Sequence, residues 1–294
     1  MRITIIANPV SGRGRPYRKL GRLIREWPHR DWEANMIPTR GPEHAGLIAR
    51  EVAGERPDIL AVCGGDGTVR EVASALPDPP FPVMLIPGGT ANVLARELGL
   101  PLDPTQALEV GLRGRTRRVD LGLLRAREVS RFLLLVGVGF DACVAARVRP
   151  GTKKKMGIAA YYAEVMRSLL TYDFPQFEVE AEDASYAATS CVTANSRHYG
   201  GGLVLTPAAD ICDGELDVLV VQTRRRSDYA RLMWAAFCNR APEFPWVLRR
   251  RVRRLKVTGP RGLWVQADGE LAGTLPLEID LVPASFPLIV PAQA

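Results

Sequence analysis

Short apolar runs alternate with helical patterns along the first 100 residues of the chain. The apolar runs are typical of buried strands and cover Ile3 to Ala7, Ala34 to Ile37, Ile59 to Cys63 and Val83 to Ile86. The helical patterns that follow them run from about Tyr17 to Trp27, Pro42 to Val52, Val69 to Leu76 and Ala91 to Leu98. This alternation predicts a doubly wound α/β domain.

After Asp120-Leu121-Gly122 the pattern becomes rich in strands. The predicted strands are Phe132 to Val138, Phe177 to Ala181, Ala187 to Ala194, Leu216 to Val221, Val252 to Val257, Leu263 to Gln266 and Leu275 to Leu281. They predict a second, mainly antiparallel β domain. We place the boundary so that the domains cover residues 1–122 and 123–294.

One helix is predicted inside the second domain, from Ile158 onward. Its apolar and aromatic positions follow the spacing of one helix face: Tyr161, Tyr162, Val165, Met166, Leu169 and Leu170. The helix either packs on the β domain or faces a lipid surface beside the basic run Lys153–Lys155.

Composition is consistent with a two-domain globular protein. The chain has 294 residues, of which 47% are apolar, which is enough for a large core. No apolar run approaches the roughly 20 residues of a membrane-spanning helix, and the N-terminus enters a strand pattern without a signal-peptide segment. We therefore expect a cytosolic protein. The 5 cysteines show no Cys-x-x-Cys spacing and the 3 histidines form no ligand cluster, so neither disulfides nor zinc are expected.

Two glycine-rich loops follow predicted strands and precede helical patterns. They are Gly64-Gly65-Asp66-Gly67-Thr68 and Pro87-Gly88-Gly89-Thr90. Glycine lets the backbone approach a phosphate closely, and the N-terminus of the next helix favours an anion. Asp66 would repel a phosphate by itself, so its position is best explained if Mg²⁺ lies between the two. The loops therefore predict a nucleotide-dependent kinase with Asp66 in its catalytic and metal site.

The net charge of +7 indicates an acidic partner, or a basic surface that is merely solvated. The basic residues cluster at Arg113–Arg118, Lys153–Lys155, Arg224–Arg226 and Arg249–Arg254. Aromatic residues do not alternate with these clusters as they do in RNA-binding modules, so we expect no nucleic-acid partner. An anionic membrane surface is the better prediction.

Five motifs in order along the chain resemble the diacylglycerol kinase catalytic-domain family, especially its bacterial lipid kinases, a group related to sphingosine kinases and more distantly to NAD kinases. They are Asn8-Pro9-Val10-Ser11-Gly12, Gly64–Thr68, Pro87-Gly88-Gly89-Thr90-Ala91-Asn92, Gly137-Val138-Gly139-Phe140-Asp141 and Gln266-Ala267-Asp268-Gly269-Glu270. The resemblance implies an NAD-kinase-like α/β nucleotide-binding domain followed by a β-rich lipid-substrate domain.

The resemblance also implies which residues bind ATP. The matching positions are Asn8, Pro9, Ser11, Gly12, Thr39, Gly64, Gly65, Asp66, Gly67, Thr68, Gly88, Gly89, Thr90 and Asn92. Most of them lie near the ends of predicted strands, where nucleotides bind in doubly wound folds. Thr39 is equally well explained as a helix N-cap.

The Asp268-Gly269-Glu270 tripeptide supplies the general base in the resembled family. Glu270 is the first candidate and Asp268 the second, and the carboxylate need only accept the proton as the bond to phosphorus forms. A simple hairpin turn would also place Asp-Gly here.

The resemblance implies two Mg²⁺ sites. Asp66 and Asp120 are candidates for the catalytic ion, although Asp120 also fits a plain strand end. In a structural site, Asp213 would provide its carboxylate, and Asp210 and Glu215 their backbone carbonyls. An Asp-Gly turn into a strand needs no metal.

These features predict an ATP- and Mg²⁺-dependent lipid kinase that phosphorylates a hydroxyl of diacylglycerol or a related lipid alcohol. We expect a cytoplasmic enzyme peripherally associated with the inner face of the membrane, and homodimerisation stays open. The alternatives are an NAD kinase-like enzyme and a catalytically silent nucleotide- or lipid-binding regulator.

Overall fold

The structure is a computed structural model that describes residues 1–27, 31–148, 158–182, 184–200, 203–238, 240 and 243–292, with the backbone alone for 158–162. The chain divides into two compact units. Unit 1 comprises Met1–Val119 and Ala284–Ala294, and unit 2 comprises Asp120–Pro283. The division predicted at residues 122 and 123 stays a prediction for the functional domains.

Unit 1 is an α/β unit built on parallel strands. The strands are β1 (Arg2–Ala7), β2 (Glu33–Pro38), β3 (Ile59–Gly64) and β4 (Val83–Pro87), in the order β2-β1-β3-β4. Leu288 of the last strand pairs in parallel with Val83. The helices are α1 (Arg15–Glu26), α2 (His44–Glu55), α3 (Asp66–Ala75), α4 (Val93–Glu97) and α5 (Pro104–Arg113). Every residue of β3 and β4 is buried, which explains their uninterrupted apolar runs.

Unit 2 contains two mainly antiparallel sheets. The strands of one sheet are β7 (Leu135–Gly139), β10 (Ser190–Ala194), β13 (Leu216–Val221), β14 (Val247–Val252), β16 (Trp264–Ala267) and β17 (Glu270–Thr274). Their order across the sheet is β14-β13-β10-β7-β16-β17. The other sheet contains β8 (Phe177–Ala181), β9 (Ala184–Ala188), β15 (Arg254–Thr258) and the start of β18 (Leu277–Val290). The hairpin of β5 (Arg115–Arg125) and β6 (Val129–Phe132) and the short pair β11 (His198–Tyr199) and β12 (Leu203–Val204) complete the strands.

An apolar core joins the two sheets of unit 2. Leu216, Val218 and Val220 of β13 point into this core, together with Val179 of β8 and Val257 of β15. The other face of β13 lies toward α6 (Phe140–Arg147), α7 (Ile158–Thr171) and α8 (Arg226–Phe237). The predicted fold class, an α/β domain followed by a mainly antiparallel β domain, is confirmed.

Three predicted strands are wrong in their extent. The run from Ala187 to Ala194 is divided at Thr189, and the run from Val252 to Val257 is divided at Arg253, because the chain passes from one sheet to the other at both points. The Thr189 hydroxyl donates to the carbonyl oxygen of Thr223 (2.6 Å), which holds the crossover in place. The run from Phe132 to Val138 is likewise two strands, β6 and β7.

Candidate functional site

Three loops of unit 1 are tied together where parallel strands end. They follow β1, β3 and β4, which are neighbours in the sheet. The Gly88 N–H donates to the Gly64 carbonyl (2.7 Å), and the Ser11 hydroxyl donates to the Gly88 carbonyl (2.8 Å). The Asn8 side-chain amide donates to the Thr68 hydroxyl (3.3 Å). The structure therefore brings together motifs that are far apart in sequence.

Close backbone contact between these loops requires glycine. A Cβ atom added to Gly12 would lie 2.6 Å from the Gly88 carbonyl oxygen, and one added to Gly89 would lie 2.7 Å from the Gly65 Cα. Real Cβ atoms do not approach other atoms so closely, so a side chain at either position would push the loops apart. The joined loops lie where strands lead into helices, and the N–H groups at a helix N-terminus favour phosphate groups.

Asp66 has a structural role that sequence reasoning missed. Its carboxylate accepts the N–H groups of Val93 and Leu94, each at 3.1 Å, and these are the first residues of α4. Asp66 is itself the first residue of α3, so it holds the start of one helix against the start of another. A carboxylate oxygen can accept more than one bond, so this arrangement is compatible with a metal ligand, which stays a prediction.

The remaining predicted ATP-binding residues lie in or beside the same loops. The Asn92 side chain accepts the Gly89 N–H (2.7 Å) and donates to the Gly89 carbonyl (3.0 Å), which closes the third loop. Thr39 follows β2 and is buried, and its N–H donates to the Ala7 carbonyl (2.8 Å). Pro9 and Gly67 are half-buried and Thr90 is exposed.

Asp268 and Gly269 form the two-residue turn between β16 and β17. Both have positive φ, 51° and 82°, as the favoured hairpin turns require. The Asp268 carboxylate accepts three backbone N–H groups, from Leu133 (2.8 Å), Leu134 (2.9 Å) and Leu135 (3.0 Å). This carboxylate therefore fixes the turn to the segment that leads into β7.

Glu270 differs from Asp268 in its environment. It is the first residue of β17, its side chain is exposed, and it pairs across the hairpin with Ala267. Glu270 is therefore accessible to solvent beside a turn that the contacts of Asp268 hold in place. The general-base assignment of Glu270 stays a prediction.

A buried polar pair connects this turn to α6. The Gln266 side chain accepts the Gly269 N–H (2.7 Å) and donates through Nε2 to the Asp141 carboxylate. Gln266 and Asp141 are 2% and 6% exposed, and neither residue was predicted to have a role. The signal that could have revealed them is an acid placed directly after the apolar Gly137–Phe140 segment.

We predict that Gly137→Ala breaks this pair. Its Cβ atom would lie 1.7 Å from Asp141 Oδ2 and 2.7 Å from Gln266 Nε2, so the two side chains must separate. Overpacking of this kind costs about 1–3 kcal/mol, and we expect a lower thermal unfolding midpoint. Gly54→Ala in α2 is the control, because a Cβ atom there meets no atom within 4 Å. Equal midpoints for the two variants would contradict the prediction.

Asp120 is buried in unit 2, beside the segment predicted to hold a structural Mg²⁺. Its carboxylate accepts the Gly214 N–H (2.8 Å), and its own N–H donates to the Ile211 carbonyl (2.8 Å). The Asn195 amide donates to the Asp120 carbonyl (3.0 Å). The structure therefore groups Asp120 with the loop before β13.

Arg251 supplies positive charge to that loop. Its guanidinium pairs with the Asp213 carboxylate, lies 3.0 Å from Glu215 Oε2 and lies 3.7 Å from Asp217 Oδ2. Burial raises the pKa of the Asp217 carboxyl, and the charge of Arg251 opposes this effect. The Asp210 carbonyl accepts the Asp213 N–H (3.2 Å). Arg251 thus pairs with the Asp213 carboxylate, which is the side chain predicted to bind the structural Mg²⁺. This Mg²⁺ site stays a prediction.

Unit 2 contains an apolar cavity of about 400 Å³ between the three helices and the outer face of the six-stranded sheet. Its lining includes Val165 and Leu169 of α7, and Leu219 and Val221 of β13. Asp141 is one of its polar lining residues. Ligand pockets are typically about 300–1,000 Å³ and mainly apolar with a few polar groups, so the cavity can hold part of an apolar molecule.

Comparison with known proteins identifies the family. The family described as "Diacylglycerol kinase catalytic domain" matches residues 2–124, and the one described as "YegS C-terminal NAD kinase beta sandwich-like domain" matches residues 135–290. A protein of Mycobacterium tuberculosis named "Diacylglycerol kinase" is 30% identical over 296 residues, which cover 99% of this chain and 95% of the relative.

Two further likenesses agree. A Pseudomonas aeruginosa protein named "Probable lipid kinase YegS-like" is 33% identical over 242 residues, covering 79% of this chain and 76% of the relative. The crystal structure of a diacylglycerol kinase from Bacillus anthracis has a TM-score of 0.77 at 24% identity, covering 98% of this chain and 96% of that one, and so shares the fold. From the two family matches and the full-length relative, the chain belongs to the bacterial lipid kinase branch of the diacylglycerol kinase family and is a kinase.

Proposed function

We propose that this kinase transfers the γ-phosphoryl group of ATP, with Mg²⁺, to a hydroxyl of diacylglycerol or a similar lipid alcohol. The apolar cavity in unit 2 carries the lipid assignment, because a soluble acceptor such as NAD has no need of an apolar space of about 400 Å³. Asp141, Ser190 and two tyrosines are the polar residues of its otherwise apolar lining, and we propose that the lipid head group lies near them.

Unit 1 supplies the residues proposed to hold ATP. The three joined loops offer closely packed backbone to the phosphates, and the predicted ATP-binding residues lie along them, with Thr39 at the end of the adjacent β2. Asp66 is the residue proposed to hold Mg²⁺, which when bound neutralises phosphate charge. Because Asp66 also holds the start of α4, it would keep the third loop in place during the reaction.

The Asp268-Gly269-Glu270 turn is proposed to act on the lipid hydroxyl. Glu270 would accept the proton as the hydroxyl attacks phosphorus, and Asp268 would hold the turn through its three N–H contacts. The Gln266 side chain would also hold this turn, because it accepts a hydrogen bond from the Gly269 N–H.

We propose that the enzyme works on the cytoplasmic face of a membrane with an anionic surface. In the part of the chain that the structure describes, no helix has both the length and the apolar content to cross a bilayer. Several arginines of the basic run Arg249–Arg254 contact other groups of the protein, so less of this run is available to a membrane surface than the sequence indicates. Arg249 donates to the Leu205 carbonyl (3.2 Å), Arg250 lies over the Tyr186 ring and Arg254 pairs with Asp280. Lys153–Lys155 lie outside the described residues.

Incubation with radiolabelled ATP and separate acceptors tests the proposal. The acceptors are diacylglycerol in vesicles, a sphingoid base and NAD, each with and without Mg²⁺. We expect label in diacylglycerol or a related lipid alcohol, and only with Mg²⁺. Labelled NAD with unlabelled lipids would show an NAD kinase-like enzyme, and nucleotide binding without any labelled acceptor would show a silent regulator.

Filling the cavity should block the lipid but not the nucleotide. Leu219 is buried and lines the cavity, so we expect Leu219→Trp to lower kcat/KM for long-chain diacylglycerol at least tenfold, with ATP affinity unchanged. Leu47→Trp, at an exposed position of α2, is the matched control. Steady-state kinetics and ATP titration measure both effects. Normal turnover by a folded Leu219→Trp enzyme would place the acyl chains elsewhere.

A further inference from the structure

Four large apolar side chains are exposed on the helices that cover the cavity. Met166 and Leu170 of α7 are 61% and 71% exposed, and Trp234 and Phe237 of α8 are 68% and 60% exposed. We call these four residues the apolar rim. A soluble protein rarely leaves several such side chains together in water, and a cluster of them marks an interaction surface.

The rim lies at the mouth of the cavity. Met166, Trp234 and Phe237 are among the residues that line the cavity, while most of each side chain faces solvent. The Trp234 and Phe237 rings stack with centroids 5.9 Å apart. The Arg226 side chain of α8 donates to the Leu169 carbonyl of α7 (3.2 Å), which ties the two helices together.

We propose that the apolar rim docks into the surface of the lipid bilayer that holds the acceptor. The inference rests on the proposed function, since a lipid alcohol with long acyl chains resides in a bilayer. An apolar surface continuous with an apolar cavity allows a chain to pass between them with little contact with water. Tryptophan is also favoured at the level of lipid head groups.

The charges beside the rim indicate that apolar burial drives this contact. Arg167 and Arg231 are 73% and 70% exposed, and each lies near an acid of its own helix. The distances are 3.9 Å to Glu164 and 3.6 Å to Asp228. Each of these two arginines therefore has a carboxylate on its own helix that offsets part of its charge. A bilayer is therefore a better partner for this face than an acidic protein.

Quenching of Trp234 tests the contact without any need for turnover. Phosphatidylcholine vesicles with brominated acyl chains should quench part of the tryptophan emission of the wild-type protein. Trp234→Phe should lose that part while the other 4 of the 5 tryptophans stay as they are. Equal quenching in the two proteins would overturn the proposal.

A charge on the rim should prevent docking. Leu170 is exposed and is not among the cavity-lining residues, and we expect Leu170→Glu to lower vesicle sedimentation and turnover of vesicle-borne diacylglycerol at least tenfold. Leu47→Glu is the matched control, because Leu47 is an exposed helical leucine of unit 1. Leu170→Glu should still phosphorylate a water-soluble short-chain diacylglycerol.

The outcomes separate this inference from the proposed function. Similar vesicle binding by Leu170→Glu and Leu47→Glu would overturn the docking face even if both enzymes are active. A dimer in analytical ultracentrifugation that dissociates in Leu170→Glu would assign the rim to a second copy of the chain and also overturn it. If the wild-type protein phosphorylates no lipid, the proposed function fails, while sedimentation and quenching still report on the face.

Discussion

Asp66→Asn should reduce phosphoryl transfer by about 10²–10³-fold or more, the usual cost of losing one charge-stabilising group. The asparagine keeps the shape of the side chain, but it loses the negative charge proposed to hold Mg²⁺. It also retains only one oxygen to accept the two N–H groups at the start of α4. We therefore expect a loss of kcat together with a stability cost of about 1 kcal/mol, as for a helix cap.

The dependence of ATP binding on Mg²⁺ separates the two roles of Asp66. A metal ligand predicts that Asp66→Asn binds ATP equally well with and without Mg²⁺, whereas a purely structural residue predicts an unchanged dependence. Glu71→Gln is the matched control, because the Glu71 carboxylate on the same helix accepts the Ala45 N–H (3.0 Å) at the start of α2. Glu71→Gln should lose stability and keep kcat. Normal turnover by a folded Asp66→Asn enzyme would remove Asp66 from the mechanism.

Glu270→Gln should lower kcat by about 10²-fold or more, the usual contribution of a general base, with ATP affinity and stability close to wild type. The glutamine keeps the size of the side chain but cannot accept the proton. Because Glu270 is exposed, its replacement costs little folding free energy. Kinetics with saturating ATP, ATP titration and thermal unfolding measure the three quantities.

Asp268→Asn is the informative partner of that variant. Its side chain can no longer accept three N–H groups as a carboxylate does, so we expect a loss of stability of about 1–3 kcal/mol. We also expect activity to fall, because a turn without these contacts no longer holds Glu270 in a fixed position. An active Glu270→Gln enzyme, together with a stably folded but inactive Asp268→Asn enzyme, would move the general base to Asp268.

The strands β3 and β4 of unit 1 were predictable because each is an uninterrupted apolar run between polar segments. Three helices, α5, α6 and α8, were not predicted. In α8 the exposed Trp234 and Phe237 blur the usual contrast between an apolar and a polar face. The division at Thr189 was missed because Ala188, Thr189 and Ser190 are all buried, so the burial pattern does not change at the crossover itself. Local periodicity does not record which sheet a strand joins.

The sequence by itself determined the fold class, the order of the domains and the motifs that carry the chemistry, because these depend on local pattern and residue type. Tertiary structure decided which groups meet. In the folded chain the Asp66 carboxylate accepts N–H groups at the start of α4, and the Asp268 carboxylate accepts three N–H groups before β7. Gln266 pairs with Asp141, and Arg251 pairs with Asp213. Tertiary structure also formed the cavity and exposed its rim. These features arise from residues far apart in the chain, whose proximity exists only once sheets and helices have packed.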